Sequence, residues 1–356
     1  MITVALVTGR IATSAVLKKA LATLSQHETA WLARDGHEAL EKLDRHPVDI
    51  VLVDLDLAGM DSIECTRRIV ERFTCAVILV AGTGGGSYDQ SFKAMAAGAK
   101  DVVELPRDDG NGQLSGLGPF SSRLLKIPAR GIKTPVSGFH RTESSGSLKT
   151  RTAAEPAVPA VASSEADHFV VIGSSTGGPQ ALVPILQTLS TGSRPAVVIV
   201  QHLDVHFAIG LAEWLTMESG FPVRLAREGE KACAGQAYLA GTNDHLRMDS
   251  NGRLRYEREP LDYPYRPSVD VFFESVAQVK GKSGVAVLLT GMGRDGARGL
   301  LALRGAGWCT IAQDEATSAV YGMPRAAAQM GSAMHVLALP DIGPMILGRM
   351  RQRGAP

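Results

Sequence analysis

The sequence predicts an α/β protein built from two units, and three observations carry that expectation. Short apolar runs alternate with stretches whose apolar residues recur at helical spacing, over the first hundred residues and again from residue 169 onward. Alternation of this kind produces parallel sheets with crossover helices. Several of the apolar runs, such as 48–55 and 196–200, are nearly continuous, as expected of strands covered on both faces. Between about 107 and 167 the periodicity collapses into Gly, Ser, Thr, Pro and Ala, the composition of a linker. The expected layout is therefore an N-terminal (βα)5 doubly wound parallel sheet over 1–107, a flexible linker over 108–166, and a Rossmann-like α/β domain with a mostly parallel sheet over 167–352. A chain of 356 residues is long enough to bury a core in each unit.

Composition excludes several classes. A formal net charge of +1 with 21% charged residues argues against a nucleic-acid or anionic-membrane surface. The four cysteines, Cys65, Cys75, Cys233 and Cys309, lie far apart. Neither a zinc ribbon nor a disulfide framework is indicated, and no metal or cofactor is expected. No secretory signal follows Met1, and no apolar run approaches the roughly 20 residues that span a bilayer. A cytoplasmic protein without membrane insertion is the expectation.

In the first unit, strands are expected at 2–7, 27–33, 48–55, 76–81 and 101–105, separated by helices at 11–25, 36–43, 62–73 and 88–97. Asp49, Ile50, Val51, Leu52, Val53 and Asp54 lead into Gly59, Met60 and Asp61, and Gly98, Ala99, Lys100 and Asp101 precede the fifth strand. These residues resemble the third strand and the final step of response-regulator receiver domains. By that resemblance Asp54 is the phosphoacceptor position. The chemistry also needs carboxylates for a magnesium ion, a hydroxyl and a cation. Here the sequence departs from the family. Thr8 and Gly9 stand where the acidic pair is usual, Ala81 replaces the hydroxyl (with Thr83 two residues on), and Leu105 precedes Pro106 where a lysine is usual. The expectation is a receiver fold that no longer runs receiver chemistry. Within the linker, residues 120–125 form one amphipathic patch that fits a short docking helix.

The second unit opens with Phe169, Val170, Val171 and Ile172 running into Gly173, Ser174, Ser175, Thr176, Gly177 and Gly178, with a helical pattern at once after. Gly173, Ser175 and Gly177 satisfy G-x-S-x-G, the elbow that lifts a serine out of a sheet edge. The same turn reads equally as an anion cradle at a helix N-terminus, which would make the chain a non-catalytic anion- or nucleotide-binding scaffold. The next strand ends in Gln201 and His202, not in the acidic residue of a dinucleotide site. The strand at 284–289 delivers Thr290, Gly291, Met292, Gly293, Arg294, Asp295 and Gly296, a second glycine-rich turn before a helix. Three strand ends thus offer a serine, a histidine and an aspartate at the edge where α/β sites assemble. Their order, Ser–His–Asp, is not that of α/β-hydrolases. Ser268 is a credible N-cap for the helix that follows it.

Five motifs in order then carry a specific resemblance: I-G-S-S-T-G-G-P, Q-H-L, R-P-S-V-D-V-F-F, L-L-T-G-M-G-R-D-G, and the run from Ala312 to Arg325. Together they resemble the catalytic domain of chemotaxis protein-glutamate methylesterases, and the whole chain matches the receiver–linker–esterase layout of that family. The resemblance implies Ser175 as nucleophile, His202 as base and Asp295 as its orienter, with backbone amides at Thr176 and Met292 as oxyanion donors. It also implies methyl-accepting chemotaxis receptors as substrates, a chemosensory histidine kinase as partner, and deamidation of glutamine as a second activity. In the family the first domain covers the esterase site until it is phosphorylated.

Overall fold

The structure, a computed structural model, describes residues 1–82, 93–95, 97–109, 113–125, 169–192, 194–203, 205–263, 265–281 and 283–353. The helix expected over 88–97 lies for the most part outside these, as do Thr83 and the linker from 126 to 168.

Strands β1 (Ile2–Val7), β2 (His27–Ala33), β3 (Ile50–Asp54), β4 (Ala76–Ala81) and β5 (Asp101–Glu104) form a five-stranded parallel sheet in the order β2-β1-β3-β4-β5. Their β-branched runs are buried on both faces. Ala5, Val7, Val51 and Val53 pack on one side, and Val4, Leu6, Ile50 and Leu52 on the other. Helices α1 (Ile11–Ala22), α2 (Gly36–Arg45) and α3 (Ser62–Arg72) cover it. The strand order reverses between β1 and β3, so the C-terminal ends of those strands form the crevice where such sheets bind ligands. Thr8 and Asp54 sit there.

The stretch read as linker begins with structure of its own. A two-stranded ribbon, β6 (Arg107–Asp108) with β7 (Leu114–Ser115), leads into helix α4 (Leu117–Leu124). Phe120 and Leu124 are fully buried in the core of the first sheet. The docking helix expected near 120–125 is thus present, and the neighbour it covers is the receiver sheet. Burial of one such apolar side chain stabilises by about 1.5–3 kcal/mol, more than polar linker composition offsets.

The second sheet has seven strands, β8 (Phe169–Ser174), β9 (Ala196–Gln201), β10 (Val223–Leu225), β11 (Ala237–Leu239), β14 (Gly284–Leu288), β15 (Cys309–Gln313) and β16 (His335–Leu337). Their order is β10-β11-β9-β8-β14-β15-β16, and every pairing is parallel. Helices α5 (Gly178–Ser190), α6 (Ala208–Ser219), α7 (Val269–Ala277), α8 (Ala297–Gly305), α9 (Met323–Gln329) and α10 (Leu339–Arg353) lie on its faces. The chain leaves β8 toward β9 on one side and returns to β14 on the other. The crevice therefore opens between the ends of β8 and β14, beside Ser175 and Thr290. An antiparallel pair, β12 (His245–Met248) with β13 (Leu254–Glu257), stands apart. Each is only four residues of mixed polarity, which carry no usable period in the sequence.

One apolar cluster runs from the first sheet (Val7, Val53) through Met95, Ala99 and Val102 to the second (Ile172, Leu182, Phe207). The two units thus share a packed contact. No helix among the described residues is long and apolar enough to cross a membrane. Cys65, Cys75 and Cys309 are buried thiols. Burial pushes Cys65 up to about 12 and Cys75 to about 11, which leaves both chemically quiet.

Candidate active site

The elbow folds because its backbone leaves no room for side chains. A Cβ on Gly173 would stand 2.2 Å from Val269, and one on Gly178 would stand 2.0 Å from Gln201 Oε1. Gly177, at φ 78°, takes the left-handed turn that admits α5 directly behind Ser175. Ser174 and Ser175 part ways at this point. Ser174 is fully buried and donates its hydroxyl to Gln201 Oε1 at 2.6 Å. Gln201 Nε2 in turn donates to the carbonyls of Ser175 (2.8 Å) and His202 (3.1 Å). One glutamine side chain therefore ties the elbow to the end of β9. Ser175 Oγ has no hydrogen-bond partner among the described residues, and Ser175 lines the cleft with His202.

His202 and Asp295 meet. Nε2 of His202 lies 2.7 Å from Asp295 Oδ2, both side chains being almost wholly buried. The other ring nitrogen, Nδ1, is buried without a partner among the described residues. Tyr265 stacks on the imidazole, centroids 4.5 Å apart and planes inclined by 13°. Asp295 is anchored by three more donors: Ser268 Oγ at 2.7 Å, the Val269 amide at 2.7 Å and the Asp270 amide at 3.0 Å. These come from the first turn of α7, whose free N–H groups and dipole favour a negative charge. Burial would raise the carboxyl. The hydrogen bonds from His202, the Asp270 amide and Ser268 outweigh it and hold Asp295 below the usual carboxylate range. It is kept ionised.

The amides of Thr176 and Met292 have no acceptor among the described residues; Thr176 lines the cleft, and Gly291, next to Met292, packs against Ser175. The β14 turn is locked to the elbow. Ser175 N donates to Thr290 O at 3.0 Å, and Thr290 Oγ1 donates to Thr176 O at 2.9 Å. Of the residues singled out in the sequence, the structure joins His202 to Asp295 by a hydrogen bond and brings Ser175 to the same cleft, without a bond between Ser175 and His202.

Sequence reasoning missed four contributors. Gln201 stands in the Q-H-L motif but drew no role there, and Tyr265 carried no motif signal. Ser268 was read only as a cap; it does cap α7, accepting from Val271 N at 3.3 Å, and the same hydroxyl donates to Asp295. Arg10 is the fourth. Its guanidinium holds Asp54 from Nε (2.9 Å) and Nη2 (2.5 Å), and Nη1 reaches Asp56 at 2.9 Å. Thr8 Oγ1 donates to the same Asp54 carboxylate at 2.6 Å. Hydrogen bonding to Asp54 raises the Arg10 pKa further. Arg10 follows the two positions whose acids are missing, and its length lets it reach back over them.

The first unit roofs the cleft. Met95, Asp101 and Val102 face Ser175, Thr176 and His202 across a cavity of ≈ 30 Å³, room for about two waters. Gln180, at the start of α5, donates to the carbonyls of Met95 (2.8 Å) and Ala99 (3.2 Å). A Glu104–His206 contact at 3.6 Å is exposed and adds little.

Comparison with known proteins agrees with both halves. Residues 170–346 match the CheB methylesterase family model, and residues 4–111 match the response regulator receiver domain model. A protein-glutamate methylesterase/protein-glutamine glutaminase 2 of Cupriavidus metallidurans is 45% identical over 94% of this chain and 94% of its own. One of Pseudomonas syringae is 42% identical over 93% and 94%. Among solved structures, the CheB methylesterase catalytic domain of Thermotoga maritima is 34% identical, covering 51% of this chain and 98% of that one, with a TM-score of 0.49. With identity of this level over nearly the full length of both chains, this protein belongs to the protein-glutamate methylesterase family.

Proposed function

We propose that the chain is a serine hydrolase that removes methyl groups from glutamate methyl esters of methyl-accepting chemotaxis receptors and deamidates receptor glutamines. The observation that carries the reading is the buried His202–Asp295 pair beside the serine elbow. Ser175 Oγ attacks the γ-carbonyl carbon while His202, through the ring nitrogen not bound to Asp295, takes the hydroxyl proton. Asp295 fixes the imidazole and stabilises the imidazolium. Amides at Thr176 and Met292 receive the oxyanion, each worth about 3 kcal/mol in such sites. The tetrahedral intermediate expels methanol (ammonia from an amide) with the proton held on His202. Water then releases the glutamate carboxylate from the acyl-enzyme. A non-catalytic anion cradle would give no role to a histidine held by an ionised aspartate.

Regulation by docking belongs to this reading. Supporting it are the roofed cleft, the Gln180 clasp, and a phosphoacceptor position whose carboxylate is already paired with Arg10 and Thr8. The first domain restrains the site without phosphoryl transfer to Asp54, with the receiver unit reaching to α4 and the hydrolase beginning near β8. Ser175→Ala, assayed for methanol release from methylated receptor fragments, is expected to lose all activity above background. Unchanged release would refute the assignment.

A further inference from the structure

A second histidine lies behind the triad. His245, on β12, is fully buried. Its Nδ1 accepts the Ser268 amide at 3.1 Å, and its Nε2 lies 3.0 Å from the Pro260 carbonyl. A nitrogen that accepts an N–H carries no proton, so the single ring proton sits on Nε2 and is donated to Pro260. The ring is therefore neutral and its tautomer is dictated from both sides. Burial lowers its pKa; Arg266 and Arg247 act in the same sense, against the Pro260 carbonyl and Asp295. The edge of Tyr263 faces the ring at 5.9 Å.

His245 thus grips both ends of the segment from 260 to 268, and that segment touches the His202–Asp295 pair twice, once at each member. Tyr265 covers the face of the imidazole, and Ser268 holds the carboxylate on its edge. We propose that His245 is a positioning residue for the triad, fixing through one ring the Tyr265 stack on His202 and the Ser268 hydrogen bond to Asp295. A merely structural imidazole would satisfy two backbone groups with no consequence for the base. Here the two groups it satisfies bracket the contacts that orient the base, and small displacements of a base cost up to about 10²-fold in rate.

The inference rests on the hydrolase reading, and its test separates the two. The probe is a fluorophosphonate, whose fluoride is displaced by Ser175 Oγ as the proton passes to His202; labelling of the full chain is followed by intact mass. Wild type is expected to label at Ser175. His245→Phe, which keeps the bulk and removes both ring nitrogens, is expected to label about 10- to 100-fold more slowly at saturating probe, with half-saturation within about two-fold. His245→Asn places its Oδ1 where Nδ1 stood, keeps the Ser268 arm and is expected to recover most of that loss. Wild-type rates in a folded His245→Phe, or a His245→Asn as slow as His245→Phe, overturn the proposal alone. No labelling of wild type overturns the hydrolase reading and this inference with it. Should His245→Phe not fold, nitrogen-15 spectra of the wild-type imidazoles at pH 7 decide: a neutral Nε2–H ring at His245 is required, and a charged or Nδ1–H ring refutes it.

Discussion

Two buried aspartates sit at the two switch points of this molecule, Asp54 in the first sheet and Asp295 at the second. Each accepts four hydrogen bonds. Asp54 takes them from Thr8 Oγ1, two nitrogens of Arg10 and the Asp56 amide. Asp295 takes them from His202, Ser268 and two amides of α7. The difference lies in the counter-charge. Arg10 carries a guanidinium that never gives up its proton, so the Asp54 pair is closed chemically. His202 carries an imidazole, a group that can both accept and give back a proton, so the Asp295 pair is open to proton transfer. An equally satisfied carboxylate faces a permanent cation in one place and an imidazole in the other.

The contrast can be broken first at the larger effect. Asp295→Asn keeps the shape and is expected to lower turnover of a methylated receptor fragment by about 10⁴-fold, the cost of the wrong imidazole tautomer in serine hydrolases. Asp54→Asn is expected to leave the chemical step intact. Comparable losses in steady-state assays of the two variants would erase the distinction. Next, wild type incubated with acetyl phosphate and magnesium is expected to gain no phosphoryl mass. A stoichiometric adduct on Asp54 would show that the Arg10 lock opens.

Arg10→Ala leaves a carboxylate with no exposed surface and no cation. Thr8 and the Asp56 amide remain, and the arginine is itself half exposed, so the expected cost is about 2 kcal/mol, below that of breaking a fully buried pair. Calorimetric melting of the full chain measures it, and no shift would mean the pair is ornamental. A smaller effect is expected from Gln180→Ala. Losing the two hydrogen bonds across the roof, about 1 kcal/mol for the pair at the low end of the usual range, should raise basal turnover about five-fold. A fall in turnover would place Gln180 with the substrate instead of the clasp.

The last test concerns Asp270, next to Asp295. Burial raises its carboxyl to about 7, with the neighbouring Asp295 charge adding to this and the Gly299 amide opposing it. The folded value lies above the unfolded one. Its contribution to stability is therefore complete below about pH 4 and is lost as pH rises through about 7. Asp270→Asn should melt with a smaller decline between about pH 4 and 7 than wild type. Parallel curves would show that Asp270 is ionised throughout.

Much of this was legible in the chain. The strands announced themselves because β-branched runs buried on both faces leave no competing period. The elbow, Gln201–His202 and the second glycine turn are each recognisable within a few neighbouring residues, and sheet topology places all three at one edge. The rest depends on partners distant in sequence. Arg10 meets Asp54 across 44 positions, and Ser268 meets Asp295 across 27. No local pattern says that an arginine after β1 will fold back over missing acids, nor that a helix cap will lend its hydroxyl twice. Phe120 and Leu124 were too few to outweigh polar linker composition until a sheet face was there to receive them.

The sequence by itself therefore determined which residues stand at the candidate site: a serine, a histidine and an aspartate on three strand ends, with Thr8 and Gly9 where a receiver has its acidic pair. Only the tertiary structure decided how they are held. Charge, tautomer and reach are set by hydrogen bonds between segments distant in sequence, and these exist only once each sheet has folded and brought its strand ends together.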